Sequence, residues 1–130
     1  MFGSSINLKS DAEIALMREA GRLNAMTLEA VKAEIRPGVS TGELNEVAES
    51  FQRAHGVYSP FKNYDPGNGV PFPGSICASV NEEMVHGIPA SESSRKATSS
   101  RWIVAQCMRD TWATRLSQSA SAKSLLKRNA

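Results

Sequence analysis

Histidine, cysteine and tryptophan each occur only twice in these 130 residues. Two cysteines, Cys77 and Cys107, allow at most one disulfide and lack any metal-type spacing, so two reduced thiols are expected. The histidines are His55 and His86, and no imidazole follows His86. No arrangement of Ser, His and Asp stands out as a catalytic triad, and "PGNG" reads as a turn rather than a phosphate-cradling loop. No apolar run approaches the roughly 20 residues of a membrane span. The opening "MFGSSINLKSDAEIALMREAG" has neither the basic nor the apolar region of a signal peptide. These absences predict a cytoplasmic protein with no membrane partner.

What is present is an ordinary globular composition, 41% hydrophobic and 22% charged. The length suits one small domain with a core. The net charge of +2 conceals a reversal. Residues 1–92 carry seven Lys or Arg against twelve Asp or Glu, a net of −5, whereas residues 93–130 carry eight against one, Asp110, a net of +7. The basic charges of the tail are scattered singly among Ser and Ala, without the blocks or aromatic interleaving of a nucleic-acid arm, which argues against a nucleic-acid partner.

Ser10 followed by Glu13 forms a capping-box pattern, so a helix is expected to begin near Asp11. Ile14, Met17, Leu23, Met26, Ala30 and Val31 would form its apolar stripe, with Glu19, Arg22, Glu29 and Lys32 on the wet face and Pro37 and Gly38 as the stop. A second helix fits "STGELNEVAESFQRAHG", capped by Ser40 or Thr41 with Glu43, buried through Leu44, Val47 and Phe51, and closed by Gly56. Its end holds His55, where the helix dipole accounts for an imidazole. "YSPFKNYDPGNGVPFP" contains four prolines and two glycines and reads as an extended loop. "SICASVNE" reads as a strand and "MVHGIP" as a second short strand after a turn at residues 81–83, making a hairpin. Past Glu92 neither caps nor alternation persist, and the tail is expected to be irregular or disordered.

The stretch "SICASVNEEMVHGIP" resembles the type I methionine aminopeptidases, as do "LKSDAEIALMREAGRL", "IRPGVSTGELNEVAE" and "FKNY" followed by "PFP". The resemblance runs in order from about Ile6 to Glu92. It implies the α+β pita-bread fold and removal of the initiator methionine from nascent chains, with nascent peptide N-termini and the ribosome as partners. It also implies two divalent metal ions per site, which activate a water by lowering its pKa from about 15.7 towards about 7. By resemblance, His86 would contact the substrate amide, and Phe72 and Cys77 would line the methionine pocket. Core packing is the competing role for those last two.

The chain departs from that family where the metal ligands belong. The family uses two aspartates, a histidine and two glutamates, all downstream of "HGIP". After His86 this chain offers no histidine, no glutamate beyond Glu92, and Asp110 as its one later carboxylate. Divalent ions need several converging donors, so no metal binding, no catalytic residue and no activity are expected of this chain.

The family would continue with something like "LKEGDIVSLDCGAIYEGYVGDAA", and the codons permitted to the tail can encode that in a shifted frame. The last base of the Trp102 codon with the first two of Ile103 gives GAT, an aspartate, and Trp112 with Ala113 gives GGC, a glycine. Both fall where the family pattern needs them. With permitted codons elsewhere, residues 95–116 read "EGDIVSLDCGAMYEGYVGDAAI", and loss of one adenine near the codon of Glu92 places the slip. The expected organisation is therefore a partial aminopeptidase domain over 1–92 and an out-of-frame basic tail over 93–130. A chain lacking the second half of such a fold should be poorly stable. The competing reading is a non-catalytic helical module that binds protein or RNA through its basic tail, distinguishable by salt-sensitive RNA binding.

Overall fold

The computed structural model describes residues 8–36, 38–91, 99–108 and 111–120, the last two segments by their backbone alone. Both helix starts follow from local side chains. Helix α1, Asp11–Ala33, begins at Ser10, whose hydroxyl accepts from the Glu13 amide at 3.3 Å while the Glu13 carboxylate accepts from the Ser10 amide at 2.7 Å. Helix α2, Thr41–Ala54, repeats the device with Ser40 and Glu43 at 3.1 and 2.7 Å. Each box satisfies amides that would otherwise lack partners at a helix start. At the far end of α2, His55 is the cap and Gly56, at φ +66°, takes the left-handed turn that ends the helix. The His55 ring stacks on Phe51 with centroids 4.0 Å apart, and its Nδ1 lies 2.8 Å from the Phe51 carbonyl oxygen. That last-turn packing gives His55 a structural role.

Three strands form one antiparallel sheet in the order β1 (Ile76–Val80), β2 (Ser99–Met108), β3 (Thr111–Ala120). Ala78 pairs in register with Trp102, and Gln106 with Ala113. The helices bring Leu28 and Val31 of α1 and Leu44 and Ala48 of α2 against Ile76 and Ala78 of β1, with Val39 closing the cluster. Burying each large aliphatic side chain there is worth about 1.5–3 kcal/mol. The arrangement is α+β, as the sequence predicts.

The stripe of α1 differs from its expected composition. Its buried residues are Ala20, Leu23, Asn24, Thr27, Leu28 and Val31, at three- and four-residue spacings. Ile14, Met17 and Met26 are instead 41%, 38% and 38% exposed. Two of the buried positions are polar, and Thr27 manages burial by donating its hydroxyl to the Leu23 carbonyl at 2.9 Å, so apolar residues alone could not mark the face.

The hairpin expected within residues 75–89 does not form. "MVHGIP" is irregular backbone that meets β1 through one backbone hydrogen bond, Ala78 N–H to the Gly87 carbonyl at 2.8 Å. The positive φ of His86, 57°, breaks the extended backbone that a second strand would need, whereas that of Asn81, 54°, falls within the turn. The strand partner of β1 is β2, so residues 99–108 and 111–120 are strands where irregular structure was expected. A terminal helix over "AKSLLKRNA" lies outside the described residues. Among the described residues no helix is long and apolar enough to cross a membrane.

Candidate functional site

The residues "HGIPA", 86–90, form a strap beside β1 and the start of α2, and glycines let it lie close. A Cβ on Gly87 would collide with the Ala78 carbonyl, and one on Gly74 would come within 2.8 Å of the Pro89 ring. At one end the Ala78 N–H donates to Gly87 O, and the Gly87 N–H donates to the Ser79 hydroxyl at 3.2 Å. At the other end the Gly42 N–H donates to Ala90 O at 2.7 Å, and the Ala90 N–H donates to the Thr41 hydroxyl at 2.8 Å. That hydroxyl in turn donates to Ala90 O at 3.2 Å. Ala90 thereby satisfies an amide left open at the helix start.

Just before these fastenings sits His86, exposed and in the left-handed region at φ 57°. Such a conformation costs a non-glycine residue about 1–2 kcal/mol and persists only where neighbours hold it. Its Nδ1 lies 3.9 Å from the Sγ of Cys77, which is 4% exposed on β1. Burial pushes the Cys77 thiol above its usual range, so it remains protonated at neutral pH. The pair therefore joins an accessible imidazole to an uncharged thiol, not to a thiolate nucleophile.

Phe72, half-buried, is anchored separately. Its N–H donates to the Tyr64 carbonyl at 2.8 Å, and its own carbonyl accepts from Asn63 at 2.8 Å, closing the neck of the loop that the prolines and glycines build. The loop tip turns around Asp65, whose Oδ1 accepts from the amides of Gly67, Asn68 and Gly69 at 2.7, 3.0 and 3.2 Å. The structure thus brings His86 and Cys77 together and fixes Phe72 on the loop that leads into β1.

Several residues that hold this site have no obvious sequence signal. Asn45 on α2 accepts the Ser75 amide at 2.7 Å and the Ile76 amide at 3.3 Å, fixing the entry to β1. Glu49, one turn on, accepts from Lys62 at 2.6 Å, Asn45 at 2.9 Å and Ser75 at 3.2 Å. Burial alone would raise the Glu49 carboxyl, but these three donors together hold it below its usual range. Glu83 accepts the Val80 amide at 2.9 Å and closes the turn that launches the strap. The doubled Ser40–Thr41 pair was a visible cap signal, but a contact of Thr41 with a residue 49 positions away was not.

The donor set of the described residues does not suit a divalent ion. Among the described residues no group of three or more His, Cys, Asp or Glu converges. Cys77 and His86 are two donors, fewer than a divalent ion needs, and the Glu83 carboxylate is engaged in the Val80 turn.

Comparison with known proteins places this geometry. The chain is 53% identical over 83 residues to "Methionine aminopeptidase 1" of Bacillus subtilis, a match covering 64% of this chain and 32% of that protein. It is 43% identical over 86 residues to "Methionine aminopeptidase" of Clostridium perfringens, covering 66% and 32% respectively. The chain thus spans about a third of the length of these curated relatives. The solved structure of the methionine aminopeptidase from Thermotoga maritima superposes with a TM-score of 0.81 at 25% identity, over 95% of this chain and 50% of that one. The fold is thus that of the pita-bread methionine aminopeptidases. With residues 15–113 also matching the family described as metallopeptidase family M24, the chain belongs to that family.

Proposed function

We propose that residues 8–91 are the methionine-recognising part of an M24 aminopeptidase and that this chain alone does not hydrolyse peptides. The observation that carries the first half is the Cys77–His86 contact, set on a segment 53% identical to a protein named a methionine aminopeptidase. In this reading His86 contacts the substrate amide, and Cys77 and Phe72 line the methionine pocket. The substrate is the N-terminus of a nascent chain in the cytoplasm, met at the ribosome.

The second half rests on the donor set. A metallopeptidase family implies divalent metal ions, yet the described residues converge no suitable donors, and the sequence after His86 holds Glu92 and Asp110 as its only carboxylates and no histidine. The residues present do not fit a pair of metal ions.

Residues 93–130 are read as the out-of-frame product of a single-base deletion near the codon of Glu92. Support comes from the charge reversal at that point, from the two positions where tryptophan codons force the family's aspartate and glycine, and from pairwise matches that extend over 64% and 66% of the chain. An in-frame tail of shared ancestry would instead account for the family match reaching residue 113.

The test is release of methionine from a methionyl tripeptide with Mn²⁺ or Co²⁺. The chain as it stands should release none, while a gene with one adenine restored after the codon of Glu92 should yield a metal-dependent product. Metal-dependent release by the present chain would refute its inactivity. Absence of release from the restored product would refute the aminopeptidase reading.

A further inference from the structure

The strap that carries His86 is fastened to β1, an element of the core, and to the first turn of α2. The second fastening is made by a side chain. Thr41 is 6% exposed, and its hydroxyl both accepts from the Ala90 amide and donates to the Ala90 carbonyl, at 2.8 and 3.2 Å. The Gly42 amide adds a third bond to the same residue at 2.7 Å. A Cβ at position 42 would stand only 3.0 Å from that carbonyl oxygen, so the strap has settled as close as a bare glycine permits. On its other side Pro89 packs against Gly74, where a Cβ would clash at 2.8 Å. Three elements thus hold residues 87–90 while His86, just before them, stays in a left-handed conformation that it would leave if released.

We infer that Thr41 is a positioning residue: its hydroxyl locks Ala90 to the start of α2 and so keeps the His86 ring beside Cys77. The functional value of that role rests on His86 being the substrate contact proposed above. The positioning itself does not, because it is read from His86 directly.

The experiment uses isotope-labelled full chain, following the His86 HN–Hα coupling and Cα shift, the exchange rate of the Ala90 amide, and the amides of Leu28 and Leu44 as a record of the core. Thr41→Val should leave Leu28 and Leu44 protected, speed Ala90 exchange about tenfold, as the loss of one hydrogen bond implies, and move His86 away from its left-handed signature. Thr41→Ser should restore both. Gly74→Ala, pressing on Pro89 from the opposite side, should move His86 without touching Thr41. The inference is overturned if Thr41→Val keeps the core and leaves His86 and Ala90 unchanged, or if Thr41→Ser behaves like Thr41→Val. Should Thr41→Val lose the core, Gly74→Ala decides: a shifted His86 supports the strap, and an unmoved one overturns it. A methionyl tripeptide added to the unsubstituted chain separates the two ideas. Failure to shift the His86 ring signals removes the substrate reading and leaves the positioning result standing.

Discussion

The first turns of α1 and α2 are built alike and used differently. Each starts with a serine and a glutamate in a closed capping box, with the glutamate oxygen 2.7 Å from the serine amide and 2.8 Å from its hydroxyl. In both, the backbone and side-chain hydrogen bonds from serine hold the glutamate carboxyl below its usual range. Beyond the box they part. Ile14, four residues after Ser10, is 41% exposed, whereas Leu44, four residues after Ser40, is 1% exposed. The second position of α1 is Ala12 in open surroundings, and that of α2 is Gly42 against Ala90. The local motif determines where a helix begins. The residues behind it decide whether that beginning also holds a strap from elsewhere in the chain.

Breaking the comparison at its strongest point should give the largest effect. Leu44→Ala removes a side chain fixed among α1, α2 and β1 and should cost about 3 kcal/mol in chemical unfolding, while Ile14→Ala should cost about 0.5 kcal/mol or less. Equal costs would mean that the two first turns share one environment. The caps come next. Ser10→Ala should cost about 0.5–1 kcal/mol, a cap in open solvent, and Ser40→Ala about 1.5 kcal/mol, because the half-buried turn it starts also carries Ala90.

Acid should act on both turns in the same sense. Glu13, Glu43 and Glu49 all lie below the usual 4.5, so the unfolded chain binds protons more readily than the folded one. The stability they add is complete above pH 4.5 and is lost as pH falls through their lower folded values. Glu13→Gln and Glu43→Gln should each flatten the acid limb of a stability profile. A profile that kept its slope in both variants would contradict the capping geometry. The smallest net effect is expected of Gly42→Ala, which gives α2 the residue of α1. The gain in helix propensity, up to about 1 kcal/mol, is offset by pressure on the Ala90 carbonyl 3.0 Å away, so stability should change by less than about 0.5 kcal/mol while Ala90 exchange quickens. Ala12→Gly should simply cost stability.

How much of this could be read in advance follows the range of the interaction. The capping boxes span four residues and are legible to the serine itself in α1 and to one of two candidates in α2. Strand β1 was legible from its β-branched and small residues, though all but its last position are buried and no alternation separates its faces. The stripe of α1 was misread at Ile14, Met17 and Met26 because Asn24 and Thr27 occupy buried positions that hydrophobicity does not flag. The strap was legible as a motif through its resemblance to a family, but its backbone was not. The left-handed His86 and the clamp from Thr41 depend on contacts 8 to 49 residues apart. The pairing of β1 with β2 was invisible for a similar reason: residues 99–108 carry no alternating pattern of their own.

The claim that joins these regions is that a family site is interrupted after its substrate-contacting half by a change of reading frame. Determining the coding DNA across codons 90–116 tests it most directly. The account predicts an adenine-rich run at the codon of Glu92 and, one base out of register, an open frame reading through "DIVSLDCG" to "GDAA", with its aspartate codon formed between Trp102 and Ile103. A stop codon in that frame, or a continuation without the aspartate of "GDAA", would contradict it.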